Sequence, residues 1–333
     1  MGRDPEYLAF MRARTAEAAG AGRRRSVAEA RRAHAADLAR SPRVPVGPVA
    51  DVVGRGAAGP LPARLYRPPG AGAVPGPLVV YFHGGGWVLG DVESYDPVVR
   101  ALVAASGVAW LSVGYRRPPE HPFPAPLEDA VAAVRWAVRC APRLGLDAGR
   151  VGVGGDSAGG QLAASAAGVL RGAGPARPVV QVLLYPALDL RAEPPPVPDP
   201  DGLEVPGGSV GAVLRMYLGD ADRTRPRVSP LLDPDPGSLP PAVIATAEFD
   251  RLRPQAERHA ARLRAAGVAV AVVPGRAWTT GFWGGGRSRG VRRRRSPRSA
   301  PPSAPPWPDR PLIARPPRPP CARFRPVDVG NHC

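Results

Sequence analysis

The apolar residues of this chain fall into short blocks that alternate between two periods. Leu78 to Phe82 is a continuous apolar run, and so is Val108 to Val113; this is how strands read when both faces of a parallel sheet are covered. Val151-Gly152-Val153, Val179 to Tyr185, Val243 to Thr246 and Val268 to Val273 extend the series. Segments of helical spacing lie between them. Pro126-Leu127-Glu128-Asp129 opens a helix through Trp136 and Val138, Gln161 to Leu170 forms another, and Arg251 to Ala266 a third. The last of these ends at Gly267, an apt C-cap. Strands alternating with helices predict an α/β fold with a mostly parallel, doubly wound sheet.

Ahead of that series, Val49 to Val53 and Leu61 to Tyr66 read as strands, ended by Pro68-Pro69. Residues 5–40 read as two short helices broken near Gly20-Ala21-Gly22. The stretch from Pro194-Pro195-Pro196 through Asp222 reads as irregular, and after Gly275 the periodicity stops. Arg292 to Arg295 and the pairs Pro301-Pro302, Pro305-Pro306, Pro316-Pro317 and Pro319-Pro320 build no packed element. Residues 276–333 are therefore expected not to fold.

Composition sharpens this division. The length of 333 residues suits one large α/β domain with a cap, or two smaller domains. All 45 basic residues are arginine, and the 40 glycines and 46 prolines make about a quarter of the chain. Residues 275–333 hold 13 arginines against Asp309 and Asp328, a net of +11 out of +17, which leaves +6 for the rest. The basic character thus belongs mainly to the tail. An arginine-rich arm is also the footprint of nucleic-acid binding, but the absence of lysine and the sparse aromatic interleaving weigh against it. Cys140, Cys321 and Cys333 imply no disulfide framework. With Arg3, Asp4 and Glu6 where a signal peptide would begin, and no run near the roughly 18 apolar residues of a membrane span, the expected location is the cytoplasm.

Two motifs carry chemistry. Gly155-Asp156-Ser157-Ala158-Gly159 follows one apolar run, and His83-Gly84-Gly85-Gly86-Trp87 follows another, 74 residues earlier. Together they read as the nucleophile elbow and oxyanion loop of an α/β-hydrolase. Small flanking residues let the strand-turn-helix elbow pack tightly, with Ser157 exposed at the carboxyl edge of the sheet. The Ala158 N–H is the first candidate oxyanion donor; Gly85 and Gly86 are the others, because glycine lets backbone amides approach the oxygen. His83 is a tempting base, yet it precedes the loop, where an imidazole serves to hold it; His83, Gly84 and Trp87 are read as structural. Asp156 adjoins the nucleophile and points away from it, so a local hydrogen-bonding role is expected. Asp250, after the strand 243–246, is the candidate triad acid, with Glu248 as rival and an N-cap role as the bland alternative.

At these positions the chain resembles the hormone-sensitive-lipase-like family of α/β-hydrolases, bacterial esterases included. The matching pieces are the two motifs above with Gly160, Tyr115-Arg116 through Pro119-Glu120-His121-Pro122-Phe123-Pro124, Ser229-Pro230, and Glu248-Phe249-Asp250. The resemblance covers residues 45–275. It implies a carboxylesterase without cofactor or metal, Ser157 as nucleophile, Asp250 as acid, and a small-molecule ester as partner. The implied organisation is N-terminal cap helices in 1–45, a catalytic domain in 46–275 with a cap insertion at about 190–225, and the tail. Arg251 and Pro254 stand where the family has Pro and Asp, a departure that bears on helix packing.

A third departure concerns the general base. The family's histidine stands in His-Gly-Phe about thirty residues after the acid, where this chain has Thr280-Gly281-Phe282. His34, His83, His121, His259 and His332 all lie elsewhere in the sequence. A threonine neither takes the serine proton at neutral pH nor returns it to a leaving group. A change of reading frame between about Val273 and Arg276 accounts for this. Arg276 to Trp283 written as CGG GCA TGG ACC ACG GGT TTC TGG, regrouped from the last base of the first codon, reads Gly-Met-Asp-His-Gly-Phe-Leu. The code forces the Asp and Leu, and wobble permits the rest. CGG runs shifted the same way become GCG, so Arg292 to Arg295 turn into alanines. The chain as written is then an impaired ester hydrolase. The other readings are an inactive binding scaffold and a nucleic-acid-associated protein that uses its tail.

Overall fold

The computed structural model describes residues 25–72, 74–195 and 208–275, with Leu8, Ala9 and Arg12. Eight strands form one sheet: β1 (Val49–Arg55), β2 (Pro60–Tyr66), β3 (Gly76–Phe82), β4 (Ala109–Val113), β5 (Leu146–Asp156), β6 (Gln181–Leu184), β7 (Ala242–Ala247) and β8 (Val270–Gly275). Their order is β1-β2-β4-β3-β5-β6-β7-β8. β1 and β2 pair antiparallel, as do β2 and β4, and every other pair is parallel. The expected α/β class and mostly parallel sheet are therefore present. The five residues Leu78 to Phe82 of β3 and all of β4 are buried, which is why they read as unbroken apolar runs.

The helices are α1 (Val27–Ala39), α2 (Asp96–Ser106), α3 (Ala125–Cys140), α4 (Ala158–Val169), α5 (Gly208–Leu218) and α6 (Arg253–Ala265). Core residues of α3, α4 and α6, such as Val134, Leu162 and Leu263, pack with Val80 and Leu111 in one cluster. Val99, Leu102 and Val103 of α2 pack with Tyr81 and Trp110 in a second. The two clusters hold the two faces of the sheet, since alternate residues of β3 point opposite ways.

The structure corrects the sequence reading in three places. Helix α2 was not expected; its buried Val98, Val99, Leu102 and Val103 have helical spacing, but β-branched neighbours hide it. Helix α5 occupies part of the stretch read as irregular, with Leu214, Tyr217 and Leu218 buried. Helix α6 starts at Arg253, two residues later than expected, behind a turn closed by Asp250. Apart from Leu8, Ala9 and Arg12, the first N-terminal helix lies outside the described residues, as do residues 196–207 of the insertion and the tail from residue 276.

Candidate active site

Parallel strands deliver their carboxyl ends to one edge, and the site is assembled there. β5 ends at Asp156, in register with Leu184 of β6, while Gly155 is level with Phe82 of β3. The chain must then turn from strand to helix within one residue. Ser157 makes that turn at φ 51°, ψ −113°, a left-handed backbone that costs a non-glycine residue about 1–3 kcal/mol. Fixed neighbours hold it there. Its N–H donates to the Leu184 carbonyl at 2.8 Å, and its own carbonyl accepts from Ala187 at 3.1 Å and Gln161 at 3.2 Å. The turn leaves no room at Gly159: a Cβ there would sit 1.9 Å from the Phe82 carbonyl oxygen. Helix α4 has no side-chain N-cap. Its first-turn N–H groups, Ala158 foremost, present the positive end of the helix beside the serine.

The loop after β3 runs through three successive left-handed residues, Gly85 (φ 90°), Gly86 (φ 60°) and Trp87 (φ 63°). Asp156 ties the start of this loop to the elbow. Its carboxylate accepts from the Gly84 N–H at 2.7 Å and from the Tyr81 hydroxyl at 2.5 Å. The Gly84 amide is thereby engaged, and the next two glycine amides are the donors the sequence nominated. His83 is fully buried, stacked on Tyr115 at 4.4 Å and 5.1 Å from the Tyr95 ring. Its Nδ1 lies 3.0 Å from the Gly84 carbonyl oxygen. Burial pushes its pKa down to about 3, so it is neutral at pH 7. Trp87 is buried, with its indole N–H donating to Gln161 Oε1 at 2.9 Å.

Asp250 lies three residues beyond β7 and is 1% exposed. Its Oδ1 accepts from the Leu252 N–H at 2.8 Å, and the N-cap residue of α6 is Leu252, so Asp250 closes the turn that enters the helix. β5 and β7 flank β6, so Ser157 and Asp250 follow strands that lie roughly 10 Å apart at the same edge of the sheet. β8 closes beside this point, with Ala247 paired to Gly275 and the Glu248 N–H donating to the Gly275 carbonyl at 2.9 Å. The Glu248 side chain is half-buried at the same edge. Thr280 lies outside the described residues. Of the described histidines, His34 is on α1 near Tyr95, His121 is exposed in a loop, and His259 is buried in α6 with its pKa pushed down to about 4 by burial. Among the described residues no group of three or more His, Cys, Asp or Glu could hold a metal ion, and no helix is long and apolar enough to cross a membrane.

The sequence reading passed over two members of this site, Gln161 and Tyr217. Gln161 left a signal: it is a long polar side chain amid the small residues of α4, four positions after the nucleophile. Tyr217 left none, because the segment around it reads as irregular.

Asp156 gives a pH prediction. Burial pushes its carboxyl up to about 6, against the lowering effect of the Tyr81 and Gly84 hydrogen bonds. The native state then holds this proton more tightly than the unfolded chain, whose Asp titrates near 4. Its contribution to stability is greatest below pH 4 and is lost as pH rises through 6. Asp156→Asn keeps an acceptor oxygen and removes the titration. The stability of the variant minus that of the wild type should grow by on the order of 3 kcal/mol from pH 4 to pH 7 in urea unfolding. A difference that stays constant with pH contradicts this.

Comparison with known proteins agrees with the geometry. A family model described as alpha/beta hydrolase fold matches residues 79–283. The chain is 43% identical over 230 residues to carboxylic ester hydrolase LipN of Mycobacterium tuberculosis, covering 67% of this chain and 61% of LipN. It is 38% identical over 260 residues to esterase LipI of the same organism, covering 77% of this chain and 81% of LipI. The ethyl acetate hydrolase of Pseudomonas putida is 40% identical over 221 residues, 65% of this chain and 70% of that one. Among solved structures, the hyperthermophilic esterase of Pyrobaculum calidifontis superposes with a TM-score of 0.75 at 34% identity, covering 85% of this chain and 91% of the other. With a family match over more than half its length, the chain belongs to the α/β-hydrolase family, among the hormone-sensitive-lipase-like bacterial carboxylesterases.

Proposed function

We propose that the protein hydrolyses small carboxylic esters through an acyl-serine, and that the chain as written lacks the base for it. One observation carries the first half: a serine held at φ 51° on a strand-to-helix turn, with a double-glycine loop tied to the same elbow by Asp156. Ser157 Oγ attacks the ester carbonyl, and the N–H groups of Gly85, Gly86 and Ala158 receive the oxyanion. The serine proton goes by way of a base to the alkoxide, which leaves as the alcohol. Water then repeats the sequence on the acyl-serine and releases the acid. Asp250 orients the base. Residues 1–45 and the insertion near 190–225 cap the pocket, which takes a small-molecule ester without metal or cofactor. The names of the relatives, an ethyl acetate hydrolase among them, support an ester as substrate.

The second half rests on Thr280, which stands where the base belongs. A frame change near Val273–Arg276 explains this, and makes the Arg/Pro-rich segment 276–333 an out-of-frame addition. That same threonine favours one alternative, an inactive scaffold that still binds acyl compounds. Labelling by a fluorophosphonate separates them. A histidine-bearing protein should label at Ser157 within minutes and its Ser157→Ala variant not at all. If that protein stays unlabelled, the hydrolase reading is wrong.

A further inference from the structure

Four segments of the chain meet on one buried amide. Gln161 lies on the first turn of α4, where its N–H bonds the Ser157 carbonyl, and its side chain is fully buried. Its Oε1 accepts from the Trp87 indole at 2.9 Å and from the Tyr217 hydroxyl at 3.2 Å. Its Nε2 donates toward Ser165 Oγ at 3.0 Å and toward the carbonyls of Arg227 at 3.3 Å and Val228 at 3.2 Å. The nucleophile helix, the double-glycine loop, helix α5 and the strand-less segment before Ser229 are thereby joined.

Trp87 needs such a grip. It is the third left-handed residue in succession and the one without glycine's freedom, so the course of the loop depends on what holds the indole. Two contacts do so. One is the Gln161 oxygen. The other is the Tyr217 ring, stacked on Trp87 at 4.4 Å and 9°. Tyr217 in turn bonds that same oxygen, and Val213, one turn earlier on α5, sits where it would be 3.3 Å from a Cβ on Gly86. Helix α5 thus rests on the loop, and both lone pairs of Gln161 Oε1 are used only while it does.

We propose that Gln161 is a positioning residue that couples the docking of α5 to the geometry of the Gly85-Gly86 loop. With α5 seated, Tyr217 fixes the amide with its oxygen toward the indole and its nitrogen toward residues 227–228. With α5 displaced, Oε1 loses one donor and Trp87 loses its stacking partner. The amide can then rotate, and the two glycine N–H groups leave their places. The proposal rests on reading Gly85 and Gly86 as oxyanion donors, and it makes the geometry of the hole depend on the seating of α5.

Hydrogen exchange of the full chain tests this without any catalytic turnover. A protein that fails to hydrolyse esters therefore bears on the proposed reaction alone. The readout is the peptide covering residues 83–89, with β4 (109–113) as the monitor of global opening. Tyr217→Phe keeps the stacked ring and removes one hydrogen bond; it should speed exchange at 83–89 about fivefold. Gln161→Leu should speed it about tenfold or more, and the double variant should match Gln161→Leu, with β4 unchanged in all three. Ser165→Ala, which removes one contact of Nε2 and leaves both bonds to Oε1, should remain within about twofold of wild type. Should Gln161→Leu fail to fold, the Tyr217→Phe and Ser165→Ala results decide the matter. Unchanged exchange in Tyr217→Phe, effects that multiply in the double variant, or acceleration in Ser165→Ala equal to that in Tyr217→Phe would each overturn the proposal.

Discussion

Inserting one base between the codons of Val273 and Arg276 should raise ester turnover on the order of a millionfold over the chain as written. The size follows from what is missing. The strained serine, its flanking glycines and the buried Asp250 are in place, but attack on an ester needs the serine proton removed as the bond forms. Between Gly275 and His332 the sequence has no histidine, and the two buried in the body, His83 and His259, have pKa values pushed down to about 3 and about 4 by burial. Neither replaces the base that the proposed mechanism places beyond Gly275. In serine hydrolases the loss of that imidazole alone removes nearly all of the triad's effect, leaving only what the oxyanion hole and binding supply. The measurement is hydrolysis of p-nitrophenyl acetate by both proteins, with Ser157→Ala in the restored frame as the blank. Re-reading the genomic bases across codons 270–290 decides which protein the organism makes. Equal rates from the two frames would show that the base comes from elsewhere in the chain.

Gly159→Ala should abolish stable folding or cost about 5 kcal/mol, the range of exceptional single substitutions. A Cβ at this position would lie 1.9 Å from the Phe82 carbonyl oxygen and 2.6 Å from that of His83. Both are backbone atoms of β3 and the loop after it, so no side chain can swing aside. Relief requires α4 to move off the sheet, which would separate Ala158 from the glycine loop and expose the apolar contacts of Leu162 and Ala166. Gly172→Ala is the control, because a Cβ there meets nothing within 4 Å; it should change stability by less than about 1 kcal/mol. Urea unfolding of both variants reads the difference. Equal midpoints for the two variants would mean that the elbow yields where the structure shows it packed.

These two sites also show how far the chain could be read unaided. The strands around the nucleophile were legible because parallel strands covered on both faces have to be apolar throughout, as Leu78–Phe82 and Ala109–Val113 are. Ser157, Gly155 and Gly159 were legible because a one-residue reversal between strand and helix tolerates few residue types. Asp250 could be nominated from its place after a strand, and its turn-closing bond to Leu252 accounts for the late start of α6. Helix α2 escaped because Val98 and Val99 have the local preference of a strand, and tertiary packing overrode it. The Gln161 contacts escaped for a different reason. They join residues 74 and 56 positions apart, and no local pattern of one sequence records a partner at that distance.

The place of β8 has a further consequence. Among the described residues it is the last strand, so all eight strands of the described sheet have been made when synthesis reaches Gly275. On the proposed reading, chemistry waits on a segment that the described strands precede. A lesion after that point would then remove the base while leaving those strands unchanged, which gives the cellular machinery that removes unfolded chains little to act on. A silent copy would then accumulate to ordinary levels, and its loss of function would show in an assay of activity and not in one of abundance.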